Sequence, residues 1–94
     1  MSHSSNVTVS KSVLTAHLDG EAVVFDCSTR TYFRLNESAA RIWTGIEAHH
    51  SGRALVEHVR DVFDVPSDVV TSEIGRFVSE SVGRGLLVEL DSLQ

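Results

Sequence analysis

The 94-residue sequence has little of several residue types, and each shortage excludes a class of structure. Its one cysteine, Cys27, forms no internal disulfide, and a lone cysteine is typical of a reducing setting. The apolar residues, 41% of the chain, form no run close to the ~18 that a membrane-spanning helix needs. The polar segment 1–6 lacks the basic and then apolar pattern of a secretory signal. We therefore expect one cytoplasmic domain.

Basic side chains are also scarce, with eight Lys and Arg against thirteen Asp and Glu and a net charge of −5. This balance argues against a protein that wraps a nucleic-acid backbone, although it leaves room for a local basic patch. The histidines have no metal-site spacing, since the i+4 position from His58 is Val62. No phosphate loop is present, and Cys27 has no flanking signature of a nucleophile. We expect no metal, no cofactor and no catalysis.

Alternating apolar and polar residues predict a first β-hairpin. The segment 13–18 ends at Asp19-Gly20, a residue pair that favours a two-residue type I′ turn. This turn pairs Leu14 with Phe25, so the apolar residues of both strands fall on one face of the sheet. We predict that this face packs on the core.

A third strand at residues 31–35 follows a turn, and the length of that turn sets its register. A three-residue loop at 28–30 would pair Phe25 with Phe33 and keep the apolar residues on the same face. A four-residue loop would put Phe33 on the other face, so we predict the three-residue loop. Its last residue usually has positive φ and is commonly Gly, and we therefore expect strain at Arg30.

Three helices are predicted after the strands. Asn36 is placed to cap the first, at about residues 37–48, with its side-chain oxygen. Ser51 is placed to cap the second, whose apolar spacing continues to about Phe63. The third helix is expected at residues 67–84, because the preceding proline is tolerated only in the first turn of a helix.

The predicted fold class is α+β, a winged helix-turn-helix with a three-stranded antiparallel meander followed by three helices (βββααα). Gly85 is well placed to end the third helix, and residues 86–88 are expected to form a final short strand. We assign the domain to residues 12–90, with a flexible N-terminal arm at 1–11 and a tail at 91–94.

The predicted strand 31–35 lies at an edge of the sheet and has nothing to prevent pairing with another strand. It contains no Pro, no Lys and no inward charge. The predicted helix 67–84 carries an apolar stripe that includes Phe77 and Val78, which would wall a groove beside the edge. We predict that a partner peptide adds here as a strand; the alternative is an edge covered by the arm at 1–11.

A winged-helix regulator that binds nucleic acid is the alternative from another class. Its recognition helix should present Arg, Lys, Asn or Gln outward. The predicted third helix instead carries Asp68, Glu73 and Glu80 beside two arginines. A basic trio surrounds the edge strand; its members are Arg30, Arg34 and Arg41. A salt titration separates the two hypotheses, because phosphate contacts lose affinity steeply as salt rises.

Three parts of the sequence occur in a characteristic order: LDGEAVVFDCSTRTYFRLNESAARIW at 18–43, Val-Phe-Asp-Val-Pro at 62–66, and GRGLL at 83–87. Together they resemble the PqqD-like family, the recognition elements of pathways to ribosomally made, post-translationally modified peptides. The resemblance covers about residues 12 to 88. It implies a winged helix-turn-helix without catalysis of its own. It also implies that the leader segment of a precursor peptide adds as an antiparallel strand to residues 31–35, in the groove against helix 67–84.

Within that family, a free-standing copy with a Val-x-Val arm, here Val7 to Val9, looks most like the leader-binding partner of lasso peptide pathways. There a separate cysteine protease cuts the leader and a cyclase closes the ring. The other similar subfamily is the PqqD chaperone, which presents its peptide to a radical S-adenosylmethionine enzyme. We predict these peptide-binding residues: Thr31, Tyr32, Phe33, Arg34, Leu35, Ile74, Phe77, Val78 and Ser81.

Two positions depart from the usual pattern of the family. Arg30 stands where Gly is usual, so we expect a strained turn before the edge strand. Ser81 stands where a large aliphatic residue is usual, so we expect a groove that is shallower or more polar at that end.

Overall fold

A computed structural model describes residues 7–48 and 52–89 of the protein. Its elements are β1 (Val7–Val9), β2 (Val13–Leu18), β3 (Glu21–Asp26), β4 (Thr31–Leu35), α1 (Glu37–Glu47), α2 (Gly52–Arg60), α3 (Ser67–Gly83) and β5 (Leu87–Glu89). Strands β2, β3 and β4 form an antiparallel meander in that order, and β1 pairs with β5. The predicted α+β fold, three strands followed by three helices, is confirmed. The predicted tail at 91–94, the segment 1–6 and the cap at Ser51 lie outside the described residues.

The N-terminal arm contributes a strand to the domain. Val7–Val9 pairs antiparallel with Leu87–Glu89, with Thr8 opposite Val88. Val7 and Val9 also pack against the core. Residues 7–9 of the arm that we expected to be flexible therefore belong to the packed domain. They do not cover the edge of β4, which was the alternative considered for that strand.

The register of the first hairpin agrees with the prediction. Leu14 lies opposite Phe25, and the turn residues Asp19 and Gly20 have φ of 51° and 88°, as a type I′ turn requires. The face that we assigned to the core is wrong, however, because Leu14 is 64% exposed. The buried face of the sheet is the other one, which carries the fully buried Val24.

Packing by the helices explains this inversion. Both faces of β3 are apolar, so a period of two could not say which face is buried. Trp43 of α1 is fully buried against the face of Val24 and Ala22, and its Nε1–H donates to Thr15 Oγ1 of β2 at 3.0 Å. A tryptophan N–H that leaves water needs such a partner, and only this face of β2 offers a hydroxyl. The helix thus selects the buried face.

The loop between β3 and β4 has four residues, 27–30, so the predicted three-residue loop is wrong. Phe25 lies opposite Tyr32, and Val24 lies opposite Phe33. The prediction failed because it assumed that Phe25 faces the core. With the faces exchanged, the four-residue loop places Phe33 beside Val24 on the buried side.

Local signals place the first two helices. Asn36 caps α1, since its side-chain oxygen accepts from the backbone N–H of Ala39 at 3.0 Å. Gly45 permits a close approach of α2, because a Cβ there would lie 2.5 Å from a methyl carbon of Leu55. Helix α2 ends at Arg60, so the predicted continuation of this helix to Phe63 is wrong.

The third helix and its end were predicted correctly apart from one residue at the C-terminus. Ile74 is buried on its inner face. Gly85 has a φ of 78°, and the Leu86 N–H donates to the Ser81 carbonyl at 2.9 Å. This is the hydrogen bond of a Schellman motif, which turns the chain so that Leu86 and Leu87 enter the core. The core thus lies between the inner face of the meander and the helices.

Candidate functional site

The outer edge of β4 has no strand neighbour among residues 7–48 and 52–89. Tyr32 and Arg34 point to the exposed face of the sheet, and Thr31 is exposed as well. Phe33 is half-buried and Leu35 is buried, both on the inner face. An edge of this composition presents unpaired backbone donors and acceptors with nothing to stop another strand from pairing.

The predicted residues of α3 fall into two groups. Ile74 and Ser81 are buried, 9% and 4% exposed, and support the helix from the core side. Phe77 and Val78 are half-buried, and each leaves part of its side chain accessible. Phe77 and Val78 thus keep some surface that another molecule can contact, whereas Ile74 and Ser81 pack inside the protein beneath them.

Arg84 joins the end of α3 to β4. Its guanidinium carbon lies 5.3 Å from the centre of the Phe33 ring. The C-terminal end of α3 therefore lies beside the middle of β4, and we call the surface along which the two elements meet the β4–α3 groove. Sequence patterns gave no signal for this contact, since nothing local relates the two residues.

A concave pocket of about 460 Å³ lies beyond the end of β4, and we call it the helical pocket. It is bounded by the start of α1, the α2–α3 connection and α3. Its lining residues are Asn36, Ser38, Ala39, Ile42, Val59, Phe63, Val65, Val69, Val70, Glu73, Arg76, Phe77 and Glu80. Phe77 was predicted from the sequence. Ala39 and Ile42 lie on α1 and Val65 lies in the α2–α3 connection, and no sequence pattern indicates that these segments meet at a pocket.

Phe77 links the helical pocket to the interior. Its ring meets Trp43 edge to face, with 6.3 Å between ring centres and 85° between planes. Such a geometry is favourable beyond simple burial. Trp43 is also hydrogen-bonded to Thr15 of β2, so one connected set of contacts joins Phe77 in the pocket wall, helix α1 and the sheet.

The arginines near the site have different partners. Arg34 bonds to Glu21 at 3.1 Å, and Arg41 turns to α2, where its Nε–H donates to the His58 carbonyl at 2.9 Å. The predicted basic trio of Arg30, Arg34 and Arg41 is thus not gathered into one phosphate-binding patch. On α3, the hydrogen bond from Arg76 to the Glu73 carboxylate, 2.8 Å long, holds the pKa of Arg76 above its usual range.

Asp26 organises the loop that leads into β4. Its Oδ1 accepts hydrogen bonds from the Ser28 hydroxyl at 2.8 Å, the Ser28 N–H at 3.0 Å and the Ser12 hydroxyl at 3.1 Å. These bonds, the Ser28 hydroxyl first, lower the pKa of Asp26 below its ordinary value of 3.8. The charged form is thus favoured by folding, although only 3% of the residue is exposed.

We expect Asp26→Asn to destabilise the protein at pH 7. A folded pKa below the unfolded value gives stability that is present above pH 3.8 and lost as the pH falls through the lower folded pKa. The stability difference between wild type and variant should therefore shrink at pH 3 and below. Urea denaturation at both pH values measures this, and equal stabilities at pH 7 would contradict it.

The strain predicted at Arg30 is confirmed, although in a four-residue loop. Its φ is 59°, and its N–H donates to the Asp26 carbonyl at 2.8 Å. A left-handed residue with a Cβ costs about 1 kcal/mol relative to Gly. We expect Arg30→Gly to raise the melting temperature by about 2–4 °C, after allowing for the entropy that Gly adds to the unfolded chain.

Arg30→Ala is the matched control, because it removes the guanidinium but keeps the Cβ. It should not raise the melting temperature, whereas both variants should weaken binding of an acidic peptide at low salt. A glycine variant without gain in stability and without loss of binding would leave Arg30 with no role at this site.

Two further features bear on the class of protein. No helix within residues 7–48 and 52–89 is long and apolar enough to cross a membrane. In the same part of the chain, His, Cys, Asp and Glu side chains form no group of three that could hold a metal ion.

Known proteins resemble the chain in sequence and fold. The family described as Coenzyme PQQ synthesis protein D (PqqD) matches residues 21–87. The structure of TbiB1 in complex with the TbiA(beta) leader peptide is similar, with a TM-score of 0.82, 26% identity, and coverage of 90% of this chain and 99% of that one. Lasso peptide synthetase B1 complexed with the leader peptide shares the fold at 19% identity and a TM-score of 0.78, over 88% and 98% of the two chains. None of the curated proteins searched matches.

Proposed function

The chain belongs to the PqqD family, whose model matches residues 21–87, and from this membership we propose that it binds the leader segment of a ribosomally made precursor peptide. It delivers that peptide to the enzymes that process it. The observation that carries the proposal is the unpaired edge of β4 beside the β4–α3 groove and the helical pocket. It is supported by the fold shared with TbiB1, which was solved with a leader peptide.

In this proposal the leader pairs its backbone with Thr31–Leu35 as an antiparallel strand. Backbone pairing accepts any sequence, so alternate side chains of the leader give specificity by entering the groove. Phe33 and Phe77 contact those side chains, because both are half-buried and Phe77 also lines the helical pocket. Ile74 and Ser81 do not contact the leader; they are buried and hold α3 in place by packing against the core.

A disordered leader loses conformational freedom when it becomes a strand. The main-chain hydrogen bonds and a few anchored apolar side chains must offset that loss, so affinity depends on the quality of the pocket. The helical pocket suits an apolar anchor, since Ala39, Ile42 and Phe77 are among its lining residues.

The chain does no chemistry of its own in this proposal. A separate cysteine protease removes the leader and a cyclase closes the ring, as in the lasso peptide pathways whose B1 protein shares this fold. The work takes place in the cytoplasm, where ribosomes make the precursor. Presentation of the peptide to a radical S-adenosylmethionine enzyme is the second candidate, favoured by the PqqD family match.

The outer face of the meander is a suitable contact surface for the processing protease. It exposes Leu14, Leu18 and Tyr32, at 64%, 49% and 70%, with Val23 and Phe25 half-buried between them. This face is continuous with β4, so a leader strand added there would extend it. A protease docked on this face would contact both the leader-binding protein and the leader strand.

Leu14→Ser tests this surface. We expect unchanged peptide affinity but several-fold slower cleavage of the leader by the protease, followed by mass spectrometry. Val62→Ser is the matched control, because Val62 is 57% exposed on a different surface. Equal cleavage rates with wild type and Leu14→Ser would exclude the outer face as the docking site.

Peptide binding itself is tested with peptides selected from a displayed random library. Their affinity for the purified chain is measured by fluorescence anisotropy at rising salt concentrations. Strand addition predicts a modest salt dependence, whereas contacts to phosphates of a nucleic acid predict a steep fall in affinity. Selection of no peptide, together with salt-sensitive DNA or RNA binding, would overturn the proposed function.

A further inference from the structure

The arginine that lies over the ring of Phe33 has no acidic partner among residues 7–48 and 52–89. Arg34, Arg41 and Arg76 each form an ion pair with a carboxylate. Among the described residues, Arg84 forms no ion pair, and its guanidinium lies over the ring of Phe33. Other arginines of the described residues, such as Arg30 and Arg53, also lack an ion pair, so what distinguishes Arg84 is its position over Phe33, beside the edge strand β4.

From its position over Phe33, Arg84 can bind a carboxylate. A guanidinium is planar, and its N–H groups lie in that plane. A guanidinium held over an aromatic ring by cation–π attraction makes no hydrogen bond to that ring face, so its N–H groups remain free to donate to a carboxylate. Contact with Phe33 at 5.3 Å also restricts the side chain, so less freedom is lost on binding.

The geometry also gives the groove a direction. Arg84 marks one end, beside the middle of β4, and the helical pocket marks the other, beyond Asn36 at the C-terminal end of β4. A peptide antiparallel to β4 places its N-terminal part at the helical pocket and its C-terminal part at Arg84. Arg30, also without an ion pair among the described residues, precedes β4 at that same C-terminal side of the peptide.

The spacing follows from helix and strand dimensions. Phe77 in the helical pocket and Arg84 lie about two helical turns apart, roughly 10 Å along the axis. A strand covers that distance in about three residues. Because alternate side chains point to the same face, the residue that meets Arg84 lies about two or four positions from the one in the pocket.

We infer that Arg84 is a specificity-determining residue that binds an Asp or Glu of the peptide, about two or four residues C-terminal to the apolar side chain in the helical pocket. This inference rests on the proposed function and deepens it, since it names the chemical class of peptide. The preferred leader combines an apolar anchor with a following carboxylate. Reversing their order places the carboxylate in the helical pocket, where Glu80 repels it and the charge of Arg76 is already neutralised by Glu73.

The test selects short peptides from a displayed random library with four proteins: wild type, Arg84→Glu, Arg84→Lys and Arg53→Glu. Arg53 is an exposed arginine of α2 outside both the groove and the helical pocket, so its variant controls for the change in net charge. We expect wild type and Arg53→Glu to enrich Asp or Glu after an apolar anchor. Arg84→Glu should enrich Lys or Arg at that position, and Arg84→Lys should show a weaker acidic preference.

A selected peptide is then compared with its amide analogue, in which that Asp or Glu is Asn or Gln. Wild type should bind the acidic form about tenfold more tightly at low salt, and Arg84→Gln should bind both forms equally. Melting curves check that each variant is folded.

Two results overturn the inference and leave the proposed function intact: apolar anchors enriched without an acidic preference, or Arg53→Glu shifting the preference as Arg84→Glu does. Enrichment of no peptide by wild type overturns the proposed function, and the inference with it.

Discussion

Phe77→Ala is expected to weaken leader-peptide binding at least about tenfold. The side chain lines the helical pocket and is half-buried before any peptide is present. Its removal takes away apolar surface that the anchor would cover and also enlarges the pocket, so the anchor loses contacts on one side. Anisotropy titrations with a selected peptide measure the loss.

The same substitution lowers stability, and the two effects must be separated. Removing a fully buried Phe costs about 3–5 kcal/mol, and a half-buried one costs less, so the variant should remain folded at 25 °C. Val56→Ala is the matched control, because Val56 is a half-buried residue of α2 that does not line the helical pocket. It should lower the melting temperature and keep full affinity. A folded Phe77→Ala protein with wild-type affinity would show that Phe77 serves the core alone.

Trp43→Ala is expected to have the largest effect on stability. Trp43 is fully buried, donates to Thr15, and supports the ring of Phe77. Removal of the indole opens a cavity and leaves the hydroxyl of Thr15 without its donor. It also removes the ring contact that holds Phe77 in the wall of the helical pocket. The expected cost is about 3–5 kcal/mol or more, a large part of the roughly 5–15 kcal/mol that stabilises a small domain.

Trp43→Phe keeps the test usable if the alanine variant does not fold. It retains an aromatic ring but removes the indole N–H that bonds to Thr15. We expect a loss of about 1–3 kcal/mol in urea denaturation, together with weaker peptide binding because Phe77 is less well held. A double-mutant cycle between positions 43 and 77 should give a coupling energy, as for residues in contact. Strict additivity would show that Trp43 does not position Phe77.

Local chemistry made much of the fold predictable. The cap at Asn36, the turn at Asp19-Gly20 and the helix end at Gly85 each follow from a residue that satisfies or permits a particular backbone geometry. The positive φ of Arg30 also follows from its place at the end of a tight loop. These features need no knowledge of distant residues, and the structure confirms them.

The buried face of the sheet was not predictable in the same way. Val23 and Phe25 on one face of β3 are as apolar as Ala22 and Val24 on the other, so only the position of α1 decides between them. The wrong face then led to the wrong loop length before β4. The error concerns tertiary packing, because the apolar periodicity of a strand does not show which of two apolar faces a helix covers.

The candidate site was predictable in part for a related reason. The edge of β4 and the side chain of Phe77 stand out in the sequence because each belongs to a regular element. Phe63 and Val65 lie in the connection between helices, and Arg84 meets Phe33 only through the fold. Residues of this kind gain their role from the juxtaposition of distant segments.

The most direct test of the central claim is amide hydrogen exchange of the full chain with and without a selected leader-like peptide. Strand addition predicts new protection in Thr31–Leu35, because backbone N–H groups at the outer edge of β4 acquire partners. The other edge of the meander, β2 at Val13–Leu18, should exchange as before. Protection confined to β2, with β4 unchanged, would contradict the account.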